Sequence, residues 1–363
     1  MNDFRAEPEA LKARMCEAAS RVIDSGWYVL GNECKHFESA WARICGTRHA
    51  IGVGNGMDAI ELILRASGIG AGDEVITTPM TAFATVLAIL RAGARPVLAD
   101  IQPGNALICP DSVARCMTAR TRALLPVHLY GQLADVGPLR ALCADHGLRL
   151  VEDCAQSHLA MQDGQVAGSF GVAGAYSFYP TKNLGAIGDA GAIVTSDDEL
   201  AERAQRLRNY GQSQRYHHPE EGMNSRLDEM QAALLSVRLE WLSDFTARRQ
   251  AIAARYRSRL TNPAIRLLDA PANAEAHVYH LFVVLCAERE RLMAHLADRG
   301  VQSLIHYPVP VHHQPPCASI LRDPAGLTAT ETHAKHCLSL PCHPQMLDED
   351  VERVIEACND FRM

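Results

Sequence analysis

The sequence predicts an α/β fold, in which a mostly parallel central sheet carries helices on both faces. Short apolar segments alternate with amphipathic segments from residue 48 to residue 154. This alternation is typical of strand–helix–strand units, whose crossovers place helices on the faces of a parallel sheet. Two further apolar segments, at 174–180 and 191–196, follow each other without room for a helix. The sheet should therefore also contain an antiparallel strand.

The individual elements follow from the spacing of the apolar residues. Two helices are predicted before the sheet, at 8–24 and 34–45, with an irregular loop, SGWYVLGN, between them. The first five strands are predicted at 49–54, 73–78, 95–101, 121–129 and 148–154. The helices that separate these strands are predicted near 56–68, 82–92, 111–117 and 136–146.

The last third of the chain predicts a second, smaller α+β domain. A long helical stretch runs from about Leu227 to about Leu260, with room for one break. Beyond it we expect a strand at 277–286, a helix at 289–299, a proline-rich loop at 307–316 and two closing helices. We therefore divide the chain into a large domain, 1–245, and a small domain, 246–363, with the boundary somewhere in 235–265.

Composition excludes several classes of protein. The chain has 363 residues, 48% of them hydrophobic, which is enough for a large core. Its net charge of −7 and the lack of a long run of like charges argue against binding to nucleic acid or an anionic membrane. The first residues contain no apolar stretch of the signal-peptide type, and no segment has the length of a membrane span. We expect a soluble cytoplasmic protein.

The cysteines and histidines do not predict a metal site. The chain contains 12 cysteines, mostly in apolar segments, and we expect reduced thiols in the core rather than a disulfide framework. Near the end of the chain, His333, His336, Cys337, Cys342 and His343 lie close in sequence, but their spacing matches no common zinc motif. The pairs His217-His218 and His312-His313 are equally weak candidates.

Three segments at the ends of predicted strands carry potential chemistry. The segment GVGNGMDAIELIL (52–64) is a glycine-rich turn that enters a helix, which suits a phosphate group. It lacks the spacing of a dinucleotide fingerprint, and on its own it could be a plain tight turn. In LVEDCAQSH (150–158) an apolar strand ends in two carboxylates, although a surface aspartate would give the same pattern.

The third segment, YSFYPTKNLGAIGDAGA (176–192), is the most informative of the three. Its single lysine, Lys182, lies between two strands among small and apolar residues and precedes three glycines. Most lysines are solvated, but desolvation here would lower the pKa of the amine and make it a usable nucleophile. Pyridoxal phosphate needs such a lysine, an acidic partner for its ring nitrogen and a phosphate-binding turn. Together the three segments predict a site for this cofactor.

These segments resemble the DegT/DnrJ/EryC1/StrS family of sugar aminotransferases, which have the aspartate-aminotransferase fold (fold type I). The resemblance extends over nearly the whole chain. It includes SGWYVLG (25–31), GNGMDAIEL (54–62), GDEVI (72–76), RAGARPVLADI (91–101), PVHLYGQ (126–132), EDCAQ (152–156), SFYPTKNLGAIGDAGA (177–192), RNYGQ (208–212), NSRLDEMQAA (224–233) and IHYPVP (305–310).

The resemblance implies a role for individual residues. Lys182 would hold the cofactor as a Schiff base, Asp153 would contact its ring nitrogen, and Gln156 would lie near its ring hydroxyl. The phosphate-binding residues would be Gly56, Met57 and Ser177, with Asn224 reaching in from a neighbouring subunit of a homodimer with shared active sites. The residues that meet the sugar or its diphosphate would be Tyr179, Arg215, His306 and Tyr307, although the two tyrosines and His306 could equally be packing residues.

Two positions depart from the family pattern. Relatives usually have Ser or Thr where this chain has Met57, so the hydroxyl contact to phosphate is lost and only the backbone N–H remains. Many relatives have an aromatic residue that stacks on the cofactor where this chain has Ala82. Phe83 follows one position later, and on a helix that shift turns a side chain by about 100°. The sequence does not establish whether Phe83 stacks on the cofactor.

Within the family, NSRLDE at 224–229 resembles enzymes that aminate carbon 3 more than those that aminate carbon 4. We therefore expect amino transfer, with L-glutamate the usual donor, to carbon 3 of a dTDP-linked 3-keto-6-deoxyhexose. The product would be a 3-amino-3,6-dideoxyhexose for polysaccharide or glycoconjugate synthesis. A UDP-linked 3-keto sugar and carbon-4 amination are the alternatives. Lys182 argues against a non-catalytic regulator and against sugar dehydration, whose enzymes carry histidine at that position.

Overall fold

An eight-stranded sheet forms the centre of the computed structural model, which describes residues 3–271 and 273–362. Its strand order is β1-β9-β8-β5-β4-β2-β3-β12. Strand β9 is antiparallel to both of its neighbours, and the other pairs in this sheet are parallel. The strands of the chain are β1 His49–Val53, β2 Glu74–Thr77, β3 Arg95–Leu98, β4 Thr121–Leu124, β5 Arg149–Asp153, β6 Met161–Gln162, β7 Gln165–Val166, β8 Ala173–Ser177, β9 Gly191–Thr195, β10 Arg266–Leu267, β11 Phe282–Leu285, β12 Leu321–Arg322 and β13 Cys337–Leu340.

Helices cover both faces of this sheet, so the predicted fold class is confirmed. The helices are α1 Glu9–Ser25, α2 Asn32–Cys45, α3 Gly56–Ala66, α4 Phe83–Arg91, α5 Pro110–Cys116, α6 Val136–His146, α7 Asp198–Leu207, α8 Glu229–Leu239, α9 Leu242–Arg259, α10 Arg289–Asp298, α11 Thr328–His336 and α12 Asp348–Asp360. The long helical stretch predicted from Leu227 is thus two helices, with a break at Glu240 and Trp241.

Alternation along the strands divides the core between the two faces of the sheet. In β5, Val151 packs with α3 and α7 residues, whereas Leu150 packs on the opposite face with residues of α5 and α6. In β9, Ile193 joins the first group, and Val194 joins the side chains of α2 and α8. Successive strand residues point to opposite faces, and burial of each such side chain contributes roughly 1.5–3 kcal/mol. Apolar residues in succession therefore stabilise both layers at once.

The C-terminal part of the chain builds a second core and also returns to the large sheet. Strands β10, β11 and β13 form an antiparallel sheet whose side chains pack with those of α9, α10 and α12. The predicted strand at 277–286 is shorter than expected, since only Phe282–Leu285 is paired as β11. The 245/246 division falls inside the continuous helix α9, and the domain boundary stays a prediction.

Strand β12 is an element that the sequence analysis did not predict. Its two residues pair in parallel with Val97 and Leu98 of β3 and so extend the edge of the large sheet. The next residue, Asp323, accepts hydrogen bonds from the Ser112 hydroxyl and the Arg115 guanidinium. A two-residue strand leaves no periodic pattern, which is why the sequence did not reveal this strap. No helix in the described ranges is both long and apolar enough to cross a membrane.

Candidate active site

The candidate site lies at the edge of the sheet where β1, β2, β5 and β8 end and β9 begins. The turn after β1 leads into α3, where the Asn55 side chain caps the helix by accepting the Asp58 N–H at 2.8 Å. A methyl group placed on Gly56 would lie 2.7 Å from Ser177 Cβ, and one on Gly191 would lie 2.4 Å from the Asn55 carbonyl carbon. The N-terminus of α3 therefore lies directly against the ends of β8 and β9, and only glycine permits this approach.

This turn can bind an anion through its backbone. The first turn of a helix presents N–H groups that have no partner within the helix, together with partial positive charge. Ser177 ends β8 beside Gly56 and adds a hydroxyl to the same place. The Met57 side chain packs against the core under α3, so its contribution to the turn is the backbone N–H. Buried Ser225 accepts a hydrogen bond from Gly54 N–H at 3.0 Å and holds the turn in position.

Asp153 presents its carboxylate at the end of β5 and is buried. One oxygen accepts the Thr85 hydroxyl at 2.8 Å, and the other accepts the Ala155 N–H at 3.1 Å. The Thr85 hydroxyl is in turn 2.8 Å from that of Thr81. An ionised carboxylate has about four lone-pair positions, so Asp153 retains acceptor capacity for a cationic partner.

The neighbouring Glu152 has a different, structural role because it points to the opposite face of the sheet. Its carboxylate accepts the N–H groups of Gly168, Phe170 and Gly171 at 2.7–2.8 Å. It also accepts His128 Nε2 at 2.9 Å, while His128 Nδ1 accepts the Ala134 N–H at 3.1 Å. These bonds place the ring proton of His128 on Nε2. Cys154 lies close enough to His128 and Glu152 to share a metal with them, but both ring nitrogens of His128 are already hydrogen-bonded.

Lys182 lies in the loop between β8 and β9, with its side chain partly buried. Burial lowers the pKa of its amine to about 8, although the negative charge of Asp153 acts in the opposite direction. A methyl group on Gly185 would lie 2.2 Å from the Pro180 carbonyl oxygen, so the loop closes tightly around the lysine. About a tenth of the amine is therefore neutral and nucleophilic at pH 7, far more than for a solvated lysine.

A hydrogen-bonded network connects the predicted ring contact to the C-terminal part of the chain. Gln156 accepts the Tyr130 N–H at 2.6 Å and donates to the Tyr307 hydroxyl at 3.1 Å. Burial and the charge of Asp153 raise the pKa of Tyr307 to about 12, although the Gln156 hydrogen bond opposes them. His306 Nδ1 is 2.8 Å from the Ser339 hydroxyl, and burial together with the Lys182 charge lowers its pKa to about 4. The structure thus brings Gln156, His306 and Tyr307 to the lysine and the aspartate.

Other predicted residues lie on the exposed surface. The side chain of Tyr179 is 53% exposed, although it lies only three residues before Lys182. Arg215 lies over the Tyr216 ring, 5.1 Å from its centroid, and donates to its hydroxyl at 3.3 Å. Asn224 is exposed and forms a β-bridge with Asn209. It does not cap the following helix, because α8 begins at Glu229 and Asp228 occupies the cap position.

Phe83 does not point toward the lysine. Its ring packs with Val86, Leu98, Val311, Cys317 and Leu327, which join α4 to the C-terminal strap. The position of the family's aromatic residue is occupied by Ala82, which immediately precedes α4.

Sequence reasoning missed Thr81, Thr85, His158 and His280. Thr81 lies two residues before α4 and Thr85 lies in its first turn, so the entry to this helix brings the two hydroxyls together. His158 is enclosed by Trp41, Tyr176 and Phe178, and burial and the Lys182 charge lower its pKa to about 3. The same two causes, in the same order, lower the pKa of His280, which contacts Asn183. These histidines are neutral neighbours of the lysine.

The cysteines and a second group of potential metal ligands, after the one at His128 and Glu152, are not among the residues gathered around Lys182. Within the described ranges all 12 cysteines are free, and most are buried, as expected. His312, His313 and Glu331 form a small cluster beside the strap.

These residues fit pyridoxal phosphate. A partly buried lysine of lowered pKa, a buried carboxylate with spare acceptor capacity and a glycine-lined helix N-terminus converge at one edge of the sheet. Each meets one requirement of the cofactor.

Comparison with known proteins agrees with this geometry. The model of the DegT/DnrJ/EryC1/StrS aminotransferase family matches residues 9–359. The chain is 46% identical over 360 residues to a dTDP-3-amino-3,4,6-trideoxy-alpha-D-glucose transaminase of Streptomyces venezuelae, covering 99% of this chain and 95% of that protein. It is 46% identical over 345 residues to a dTDP-3-amino-3,6-dideoxy-alpha-D-galactopyranose transaminase of Aneurinibacillus thermoaerophilus, covering 95% and 94%.

The solved structure of S. venezuelae DesV in complex with a ketimine intermediate superimposes with a TM-score of 0.95. Its sequence is 47% identical, and the match covers 99% of this chain and 96% of that one. The protein therefore belongs to the DegT/DnrJ/EryC1/StrS aminotransferase family. It is a sugar aminotransferase that depends on pyridoxal phosphate, so the expected family, enzyme class and cofactor are confirmed.

Proposed function

We propose that the protein transfers an amino group from L-glutamate to carbon 3 of a dTDP-linked 3-keto-6-deoxyhexose. The main support is that two relatives at 46% identity are named for dTDP-linked 3-amino sugars. The lysine, the carboxylate and the glycine-lined turn on which the chemistry depends are all present in this chain.

Each of these residues has a definite task in the proposed reaction. When bound, pyridoxal phosphate supplies an electron sink that allows a proton to leave the carbon bearing the amino group. Lys182 would hold the cofactor through its amine, and the free amine would take up or return the proton of the carbon that bears the amino group. A pKa of about 8 suits this task, because an efficient general base titrates near the working pH. Asp153 holds its negative charge where the ring nitrogen carries its proton.

The remaining residues orient the reactants. The backbone N–H groups at Gly56 and Met57, with the Ser177 hydroxyl, hold the phosphate at the N-terminus of α3. Gln156 and Tyr307 form one hydrogen-bonded pair beside Asp153, and His306 stays neutral beside Lys182. A neutral imidazole and a protonated tyrosine can donate hydrogen bonds to sugar hydroxyls without adding charge. Tyr179 and Arg215 are assigned to the sugar nucleotide.

We further propose that the enzyme is a homodimer whose two active sites are shared. Exposed apolar side chains support an interface around residues 224–231. Val29 bridges to Asp228, and Tyr210 packs under Arg226, 5.2 Å from its ring centroid. The N–H of Ile187, whose side chain is 60% exposed, donates to the Gln231 side chain. Clustered exposed apolar groups mark association surfaces, and a second copy would bring Asn224 to the neighbouring phosphate.

A panel of substrates tests the proposed reaction. The enzyme loaded from L-glutamate would be offered 3-keto and 4-keto sugars linked to dTDP and to UDP, and NMR would locate the new amine. We expect amination at carbon 3 of the dTDP-linked 3-keto-6-deoxyhexose. An amine at carbon 4, or turnover only with UDP sugars, would replace this assignment. Aspartate and glutamine as alternative donors would test the choice of glutamate.

A further inference from the structure

Two buried threonines, Thr81 and Thr85, are hydrogen-bonded in series to the Asp153 carboxylate. Thr81 and Thr85 are 4% and 1% exposed, and Asp153 is 4% exposed. The Thr81 and Thr85 hydroxyls are 2.8 Å apart, and the Thr85 hydroxyl is 2.8 Å from Asp153 Oδ2. Three polar groups thus form one continuous chain inside the protein.

The direction of these hydrogen bonds follows from counting protons. An ionised carboxylate only accepts, so the single hydroxyl proton of Thr85 points to Asp153. Thr85 has no second proton, so Thr81 must donate to it. Both hydroxyl protons therefore point toward the carboxylate, so that Thr81 donates to Thr85 and Thr85 donates to Asp153. Hydrogen bonds to charged groups are shorter and about twice as strong as neutral ones, and successive bonds polarise one another.

This geometry also fixes the orientation of the carboxylate. Thr85 holds Oδ2 and the Ala155 N–H holds Oδ1, so rotation of the carboxylate plane would break one bond or the other. The remaining acceptor positions of both oxygens are then held in a constant direction. Thr85 is itself fixed because it lies in the first turn of α4, where its N–H bonds to the Ala82 carbonyl at 3.2 Å.

We propose that Thr85, supported by Thr81, is a positioning residue that aims the Asp153 carboxylate at the ring nitrogen of pyridoxal phosphate. The inference rests on the proposed role of Asp153 and deepens it. Thr85 acts through the aspartate and does not itself touch the cofactor. Loss of its hydroxyl leaves a buried carboxylate oxygen without its donor and free to turn, which weakens the hold on the ring.

The test compares Thr85→Val, which keeps the shape and removes the hydroxyl, with Thr85→Ser, which keeps the hydroxyl. Thr195→Val is the matched control. Thr195 is also about 1% exposed and its hydroxyl also has two partners, since it donates to the Val172 carbonyl at 2.7 Å and accepts the Asp197 N–H at 3.0 Å. It lies at the opposite end of β9 from the candidate site.

The readouts are the dissociation constant of pyridoxal phosphate, the absorbance spectrum of the bound cofactor and the thermal stability of the cofactor-free protein. We expect Thr85→Val to raise the dissociation constant roughly tenfold to a hundredfold and to change the spectrum. Thr85→Ser should restore both. Thr81→Val should have a smaller effect, since Thr85 keeps its bond to Asp153. Thr195→Val should lose stability but bind the cofactor as the wild type does.

An Asp153→Ala background separates positioning from general destabilisation. With no carboxylate to aim, Thr85→Val should no longer change the dissociation constant, because two residues that act as a unit are not additive. Equal losses in both backgrounds, or equal binding by Thr85→Val and Thr195→Val, would overturn the positioning role. A wild-type protein that failed to bind pyridoxal phosphate at all would instead overturn the proposed function.

Discussion

At the scale of single residues, the chemistry of Lys182 depends on burial. The side chain is a lysine like many others in sequence, but its surroundings lower the pKa of the amine to about 8. The negative charge of Asp153 opposes this shift, so removal of that charge should lower the pKa of the lysine further. The roles of the lysine and the aspartate can therefore be tested by separate substitutions.

Lys182→Ala should abolish turnover and leave the fold intact. The amine is needed both to hold the cofactor and to move the proton, and general acid–base catalysis alone contributes roughly 10²–10⁴-fold. Steady-state kinetics and circular dichroism would check this, with the exposed Lys335→Ala as the matched control. Retention of more than about a hundredth of the wild-type kcat would contradict the proposed role.

Asp153→Asn should lower kcat by orders of magnitude and still give a yellow, cofactor-loaded protein. Asparagine keeps the shape and loses the charge that stabilises the protonated ring. Absorbance spectra and kinetics of the purified variant would test this. Near-normal turnover would show that the ring partner lies elsewhere. Glu152 would not be that partner, because its carboxylate is already occupied by backbone N–H groups and His128.

The rate at which the cofactor-free enzyme captures pyridoxal phosphate should rise with pH, reach half of its maximum near pH 8 and level off at higher pH. Only the neutral amine attacks, and its fraction falls about tenfold for each pH unit below the pKa. Stopped-flow absorbance would give the midpoint. In Asp153→Asn the midpoint should move to lower pH, because the carboxylate raises the lysine pKa. A midpoint near pH 10 in the wild type would show a solvated lysine.

At the scale of secondary-structure elements, the NSRLDE segment has a structural role beside its resemblance to carbon-3 enzymes. Glu229, the first residue of α8, accepts the N–H groups of Gly31, Glu33 and Cys34 at 2.8–3.0 Å. These are the free donors at the start of α2, so one carboxylate closes the N-terminus of another helix. A methyl group on Gly31 would lie 2.6 Å from Glu229 Oε2, which explains the glycine at this position.

Glu229→Gln should lower the free energy of unfolding by about 1–2 kcal/mol, which is typical for loss of a buried charge that caps a helix N-terminus. Burial alone would raise the pKa of Glu229, but hydrogen bonds from Cys34 and from the Glu33 and Gly31 N–H groups lower it overall. The stabilisation is therefore present above the unfolded pKa and is lost as the pH falls through the folded one.

Denaturant unfolding at several pH values would check this, with the exposed Glu356→Gln as the control. The difference between wild type and Glu229→Gln should shrink below about pH 4, the usual range for a glutamate. A difference that is constant down to pH 3 would mean that the charge of Glu229 does not stabilise the fold.

At the scale of the whole molecule, assembly decides whether each site is complete within one chain. Asn224 lies outside the group of residues that the single chain brings to Lys182, and it caps no helix. The proposed dimer gives it a role at the neighbour's phosphate. Closed two-fold symmetry would make both sites identical and both shared.

Mixing two inactive variants tests this arrangement. One chain would carry Lys182→Ala and the other Asn224→Ala with Arg226→Ala, and subunit exchange would be verified by mass spectrometry. If sites are shared, each mixed dimer contains one site with both defects and one with neither. Equal mixing should then give roughly a quarter of wild-type activity, because half of the dimers are mixed. Activity no higher than the average of the two parents would rule out shared sites.

The sequence by itself determined the order of the large-domain strands and helices, the antiparallel strand, the lysine, and the carboxylate. These features depend on local patterns: apolar alternation, glycine spacing and a strand that ends in an acidic pair. The chemistry of the two carboxylates alone could not show whether Glu152 or Asp153 faces the candidate site. In the structure, side chains alternate along β5, so the two carboxylates lie on opposite faces of the sheet.

Only the tertiary structure decided which distant residues meet. The C-terminal segment returns across the sheet edge, joins Tyr307 to Gln156 and packs Phe83 into the strap instead of toward the site. Thr85 reaches Asp153 across 68 positions, and Glu229 caps α2 from almost 200 positions away. Local patterns report which side of an element is buried, but the partner of a buried polar group is fixed by packing between elements, which leaves no local trace.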